Sequence, residues 1–243
     1  MISKTLTTKT NFDFLLGEVL LIDKEIGKTS FNVVHNLRKI TGVKKIGHAG
    51  TLDPAATGLL IVCTGKKTKE IRIYQDQTKT YSGIITLGIK TPSMDSETEA
   101  IEICDASQIT PEEMEETRKK FVGEIEQIPP MYSALKFKGQ ALYKYARKGI
   151  DVKREPRKVN ILSFEITKTD LPDIHFSIEC SKGTYIRVIA DDFGSALGCG
   201  AYLKSLRRIK IGEYAVDNAF TLKELEDYLK SSNSTGGESI EKN

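Results

Sequence analysis

Apolar and polar positions along the chain switch period several times. Gly17 to Asp23 is a short, almost continuous apolar run that reads as a buried strand. From Ser30 to about Ile40 the spacing is helical: Val34, Leu37 and Ile40 share one stripe, Thr29 or Ser30 caps the start, and Gly42 supplies the stop. Leu59 to Cys63 is a second strand-like run, Lys66 to Gln75 suggests a basic helix, and Thr78 to Ile89 is β-rich. Ile101 to Cys104 is short and alternating. Thr110-Pro111-Glu112-Glu113 opens a helix that closes near Gly123, with proline and acidic residues suited to the positive end of its dipole. A basic, Tyr-rich helix is predicted around Gln140 to Arg147, after the stiff, extended stretch Ile128 to Ala134. Arg157 to Thr167 and Ile174 to Cys180 read as strands, Thr184 to Leu197 as a helix, and Leu203 to Tyr214 as a strand. Thr221-Leu222-Lys223-Glu224 is a capping box for a last helix to Leu229. Residues 231–243 are mostly Ser, Gly, Asn and Glu with a single large apolar residue, Ile240, which predicts a disordered tail after an ordered region of 1–230. Strands and helices alternate irregularly, so the expected class is α+β, a mixed and mainly antiparallel sheet with helices outside it.

Composition narrows the classes. At 243 residues and 39% hydrophobic, the chain can bury one large core or two modest ones. It has no run of eighteen apolar residues, and Met1 to Phe14 has no continuous apolar segment, so neither membrane span nor secretory signal is expected. Cys63, Cys104, Cys180 and Cys199 are far apart, which fits a reducing cytoplasm better than a disulfide framework or zinc ribbon. The three histidines are scattered too, so no metal is expected. Net charge is only +3, but residues 95–126 hold eleven acidic and three basic side chains, which leaves +11 on the remainder. Basic clusters beside glycine-rich loops favour a phosphate-rich partner such as RNA.

The densest chemistry lies between Ile46 and Lys67, where four glycines and Pro54 lead into the run Leu59 to Cys63. That pattern places a tight loop immediately before a buried strand. Asp53 and His48 sit in the loop, and Pro54 biases Asp53 toward an extended conformation. By spacing alone Asp-Pro is more often a structural turn opener than a catalyst. A short carboxylate on such a braced loop also suits a nucleophile or base. Gly27-Lys28-Thr29 invites a phosphate-loop reading, but that motif needs glycine where Ile22 stands, so it is rejected. Asp191 and Asp192, neighbours on a helix, point about 100° apart and make a poor metal pair.

The run Gly47-His48-Ala49-Gly50-Thr51-Leu52-Asp53-Pro54, followed by Ala56-Thr57-Gly58-Leu59-Leu60, resembles the motif of the TruB-type tRNA pseudouridine synthases. The likeness extends from about Gly17 to Leu229. It implies the pseudouridine synthase fold with a central active-site cleft, and Asp53 as nucleophile on a flipped-out uridine. Tyr81 in Lys79-Thr80-Tyr81 then matches the active-site tyrosine, and Arg187 in the run Cys180 to Arg187 matches the arginine paired with the nucleophile. Leu206 would line the base pocket, with Tyr185 also at the substrate. His48 would occupy the space left by the flipped base or contact the flipped nucleotide. Lys24, Lys136, Arg147 and Arg208 become candidates for RNA backbone contacts, the middle two within an RNA-clamping loop of about 128–158.

The implied reaction isomerises uridine 55 in the T loop of tRNA. Nothing is oxidised or hydrolysed, so no cofactor is called for. The sequence departs from the family at Ala49, where threonine is usual, and at Thr91-Pro92-Ser93, where Thr-Asp-Thr is usual. The resemblance runs only to about Leu229 and does not take in the C-terminal PUA domain of many relatives, so the expectation is a bacterial-type enzyme lacking that domain, a cytoplasmic monomer that reads the T stem-loop without guide RNA or protein partner. A synthase of the same fold with another RNA target, and an RNA chaperone without chemistry, are the competing readings.

Overall fold

The two apolar runs of the N-terminal third lie side by side, and their residues alternate between two packed layers. In the computed structural model, which describes residues 1–5, 12–102 and 104–234, the elements run in this order. They are β1 (Val19–Lys24), α1 (Ser30–Thr41), β2 (Ile46–His48), β3 (Ala56–Thr64), α2 (Ile71–Gln75), β4 (Lys79–Leu87), β5 (Ile89–Lys90), β6 (Ile101–Glu102), α3 (Pro111–Lys119), β7 (Gly123–Gln127), β8 (Lys136–Phe137), β9 (Gln140–Ala141), α4 (Leu142–Ala146), β10 (Arg157–Asp170), β11 (Asp173–Cys180), α5 (Ile186–Ala196), β12 (Ala201–Ile211), β13 (Tyr214–Ala215) and α6 (Leu222–Ser234). The chain divides into two compact units, Met1–Lys79 with Arg207–Asn243, and Thr80–Leu206.

In the first unit β1 pairs antiparallel with β3, Leu20 opposite Val62 and Ile22 opposite Leu60, and β2 pairs with the far end of β3. Leu20, Ile22, Leu60 and Val62 pack with Val33, Val34 and Leu37 of α1 and with Phe220, Leu222 and Leu225. Their neighbours Val19, Leu21, Leu59, Ile61 and Cys63 join Ala49, Tyr74, Ile211 and Val216 in a second cluster. Both faces of the β1–β3 ladder are therefore buried, which is why these strands read as continuous apolar runs. Each such side chain contributes about 1.5–3 kcal/mol.

The second unit carries β4, β11, β10 and β7 in that order, with β10 antiparallel to both β11 and β7. Phe164 of β10 meets Phe121, Phe176 and Phe193 edge-on, tying α5 to the sheet. The registered strand pairs are antiparallel, and isolated parallel bridges such as Asp95 with Leu203 make the sheet mixed, as the alternation of elements suggested.

Most helix signals hold in detail. Thr29 and Asn32 form a reciprocal cap on α1, Gly42 closes it in the left-handed conformation, and Thr110 with Glu113 caps α3. The helix expected from Gln140 is shorter. Lys138 and Gly139 both have positive φ and make a two-residue hairpin turn, so Gln140 and Ala141 pair back onto Phe137 and Lys136 before α4 begins. Helix α6, capped by Thr221 and Glu224, continues to Ser234, so residues 231–234 of the expected tail are helical. The rest of that tail, 235–243, lies outside the described residues.

Candidate active site

The loop joining β2 to β3 carries Asp53, and every side of it is tied to a neighbour. Ala49 N donates to Ile61 O at 2.8 Å, and Ala56 N to Asp53 O at 3.0 Å, which closes a turn around Pro54. Ser30, the first residue of α1, accepts from Leu52 N at 2.9 Å and donates to Leu52 O at 3.2 Å through its hydroxyl. Gly27 N reaches Pro54 O at 2.8 Å. The residues on both sides of Asp53 are thus fastened to the β1–α1 segment, while Asp53 itself is only half-buried.

Arg208 completes the brace. Its guanidinium donates to Leu59 O at 2.7 Å, Gly50 O at 3.1 Å and Thr51 O at 3.4 Å, and the residue is 1% exposed. Gly58 faces its backbone so closely that a Cβ there would lie 2.3 Å from Arg208 O. Lys24 is 0% exposed, with Nζ donating to Lys28 O at 2.7 Å and Glu25 O at 3.0 Å. Burial pulls the Lys24 ammonium down to a pKa of about 8, and the nearby Asp53 carboxylate works against that fall. Lys24 and Arg208 were expected to contact RNA phosphates. In this structure both head groups donate to carbonyls inside the fold, Arg208 to the Asp53 loop and the strand after it, and Lys24 to the 25–28 segment beside it.

His48 ends β2, half-buried, with its pKa lowered by burial first and the Arg208 charge second, against a raising hydrogen bond with the Gly50 backbone. The unfolded chain takes up a proton near pH 6.5, whereas folded His48 does so only at lower pH, so stability is lost as pH falls below about 6.5. His48→Gln removes this contribution. Urea unfolding between pH 7.5 and 5 is expected to show a shallower acid loss for the variant, and equal slopes would contradict the assignment.

The second unit holds the other candidates. Tyr81 is buried on β4. Arg187, in the first turn of α5, is buried, and its Nη1 donates to Asp95 Oδ2 at 2.9 Å, with both side chains at or below 7% exposure. Asp95 belongs to the 91–99 loop that departs from the family pattern. Its carbonyl accepts from the Thr91 and Ser93 hydroxyls at 2.7 and 3.2 Å, and Leu203 N donates to Met94 O at 3.0 Å. Tyr185 is held through its backbone by Gln127, whose side-chain amide accepts from Tyr185 N at 3.0 Å and donates to Tyr185 O at 3.2 Å. The Arg157 guanidinium lies 4.7 Å from the Tyr185 ring centre, and that of Arg187 5.8 Å. Leu206 is half-buried on β12, Lys136 is exposed on β8, and Arg147 is exposed beside the Tyr143 ring at 5.5 Å.

Sequence reasoning missed Ser30, Asp95 and Gln127. A Thr-Ser pair at a helix start was visible, but nothing local says that its serine reaches residue 52. Among the described residues no group of three or more His, Cys, Asp or Glu could hold a metal, and no helix is long and apolar enough to cross a membrane.

Comparison with known proteins matches residues 38–186 to the TruB family pseudouridylate synthase N-terminal domain, and residues 187–241 to the tRNA pseudouridylate synthase B C-terminal domain. The tRNA pseudouridine synthase B of Chloroherpeton thalassium is 49% identical over 214 residues, covering 86% of this chain and 89% of that one. The protein of the same name from Flavobacterium johnsoniae is 48% identical over 225 residues, covering 90% and 98%. Among solved structures, a Cbf5–Nop10–Gar1 complex matches with TM-score 0.72 at 27% identity, over 99% of this chain and 65% of that one. An H/ACA RNP bound to a substrate RNA containing 2′-deoxyuridine matches with TM-score 0.69 at 26% identity, over 93% and 57%. This chain thus spans less than two thirds of each of these two solved chains. With both family domains matched end to end and relatives near half identity, the chain belongs to the TruB family of pseudouridylate synthases.

Proposed function

We propose that this protein isomerises uridine 55 in the T loop of tRNA to pseudouridine, with Asp53 as the nucleophile. The observation that carries the reading is the loop around Asp53. Ser30, Gly27 and Arg208 hold its backbone, so a half-buried carboxylate is presented on a fixed frame. The relatives named tRNA pseudouridine synthase B support tRNA as the substrate class.

The reaction breaks the bond from C1′ to N1, turns the uracil over and joins C5 to C1′. N1 gains a proton and C5 loses one, so the product is an isomer. An ionised carboxylate can stabilise or capture the sugar at C1′, as in retaining glycoside chemistry. Arg187 serves as the countercharge that orients and stabilises Asp53. Tyr81 stacks on the uracil and helps remove the C5 proton. Extruding a stacked uridine costs a few kcal/mol, and His48 fills the vacated space or contacts the flipped nucleotide. Tyr185 and Leu206 line the base, while Lys136 and Arg147 act from an RNA-clamping segment of about 128–158. In this reading the enzyme works as a cytoplasmic monomer without guide RNA.

Tritium release from C5-labelled uridine in an unmodified tRNA transcript tests it. One equivalent is expected from the wild-type substrate and from a T-arm hairpin, and none when position 55 is cytidine. Equal release from the cytidine substrate would assign another target, and no release with tRNA still bound would favour a chaperone.

A further inference from the structure

We propose that the outer face of α1 is part of the RNA-binding surface, with Phe31 as a stacking platform for an unpaired base next to the target uridine. The inference rests on the reading of Asp53 as the reacting carboxylate and adds a residue that the motif does not point to.

Phe31 is 65% exposed and Ile26 is 71% exposed, although both lie in a segment fastened to the core. The helix buries Ser30, Val33, Val34 and Leu37 and needs no apolar group on its other side. Single exposed apolar residues are ordinary, so position decides the argument. Ser30, adjacent to Phe31, holds Leu52 by two hydrogen bonds, and Gly27, adjacent to Ile26, holds Pro54. Leu52 and Pro54 flank Asp53. Phe31 and Ile26 are therefore carried on the same braced frame as the carboxylate.

The rest of the face fits nucleic acid. Phe31, His35 and Lys39 recur at intervals of four and share one side of the helix, all exposed. An aromatic ring followed by groups able to carry positive charge is the combination that single-stranded RNA takes, by stacking on the ring and by phosphate contact beyond it. Residues 1–79 hold thirteen Lys and Arg against seven Asp and Glu, so the surroundings also attract a polyanion. An apolar protein partner would gain little from that charge.

The test uses the full chain and T-arm hairpins carrying 2-aminopurine at one loop position at a time, other than the target. Phe31→Ala is expected to raise KM about tenfold or more, with kcat within about threefold and the unfolding midpoint unchanged. Phe31→Tyr is expected to restore KM, and Leu162→Ala, which removes an exposed leucine of β10 in the second unit, to change nothing. At one or more positions the probe should be quenched on binding wild type or Phe31→Tyr, but not Phe31→Ala. An unchanged KM in Phe31→Ala, or quenching that ignores Phe31, overturns the proposal. So does self-association of the wild type that Phe31→Ala abolishes, which would give the face to a second copy. If the wild type binds the hairpin without converting it, the proposed function fails separately, and the fluorescence still reports on Phe31.

Discussion

Replacing Asp53 by asparagine is expected to reduce turnover by about 10⁴-fold or more, the scale on which loss of a nucleophile stops covalent catalysis. The amide has the shape of the carboxylate without its charge, so it can neither capture C1′ nor stabilise positive charge there. The fold should not follow the activity down. The bonds that hold this loop use backbone groups of residues 50–56 with Ser30, Gly27 and Arg208, and Asp53 contributes its carbonyl to the turn at Ala56. The substitution keeps these backbone bonds but removes the carboxylate charge beside buried Lys24, so unfolding free energy is expected to fall by only about 0.5–3 kcal/mol, and tRNA affinity to stay within a few-fold. Tritium release and denaturant titration read the two quantities separately. Release within tenfold of wild type would remove Asp53 as the nucleophile.

The second large effect is expected at Asp95, which carries no motif of its own. Its carboxylate accepts from the guanidinium of Arg187 with both side chains almost out of water. Removing one partner of a buried ion pair costs about 3–5 kcal/mol. Asp95→Asn keeps an acceptor for Arg187 and the backbone bonds of the 91–98 loop, so the loss should fall toward the lower end. If Arg187 is the countercharge of Asp53, its mis-set guanidinium should also lower kcat by about 100-fold with KM little changed, a split that a merely looser fold would not produce. The predicted order of activity is wild type, then Asp95→Glu, then Asp95→Asn. Full kcat in Asp95→Asn would make the pair structural only.

Helix ends, buried strands and the Asp53 loop were legible because their causes are local. Thr29 and Thr110 bond residues three positions away, Gly42 adopts a backbone conformation that its own lack of Cβ permits, and an apolar run declares burial wherever it goes. The glycines and proline around Asp53 likewise mark their turn in the sequence itself. The hairpin at Lys138-Gly139 was passed over because the Tyr-rich stretch beyond it has helical spacing.

The sequence by itself determined the α+β class, most element positions, the Asp53 loop and, through its long motif, the family. Tertiary structure decided what the charged residues do. Arg208 stands in sequence as one more basic residue, yet the carbonyls its guanidinium meets are brought to it by folding, up to 158 residues away in the case of Gly50. Asp95 and Arg187, 92 residues apart, become a buried pair in the same way. A charge cannot show in sequence whether it will meet water, a phosphate or a carbonyl, because desolvation and pairing depend on groups that only the folded chain assembles.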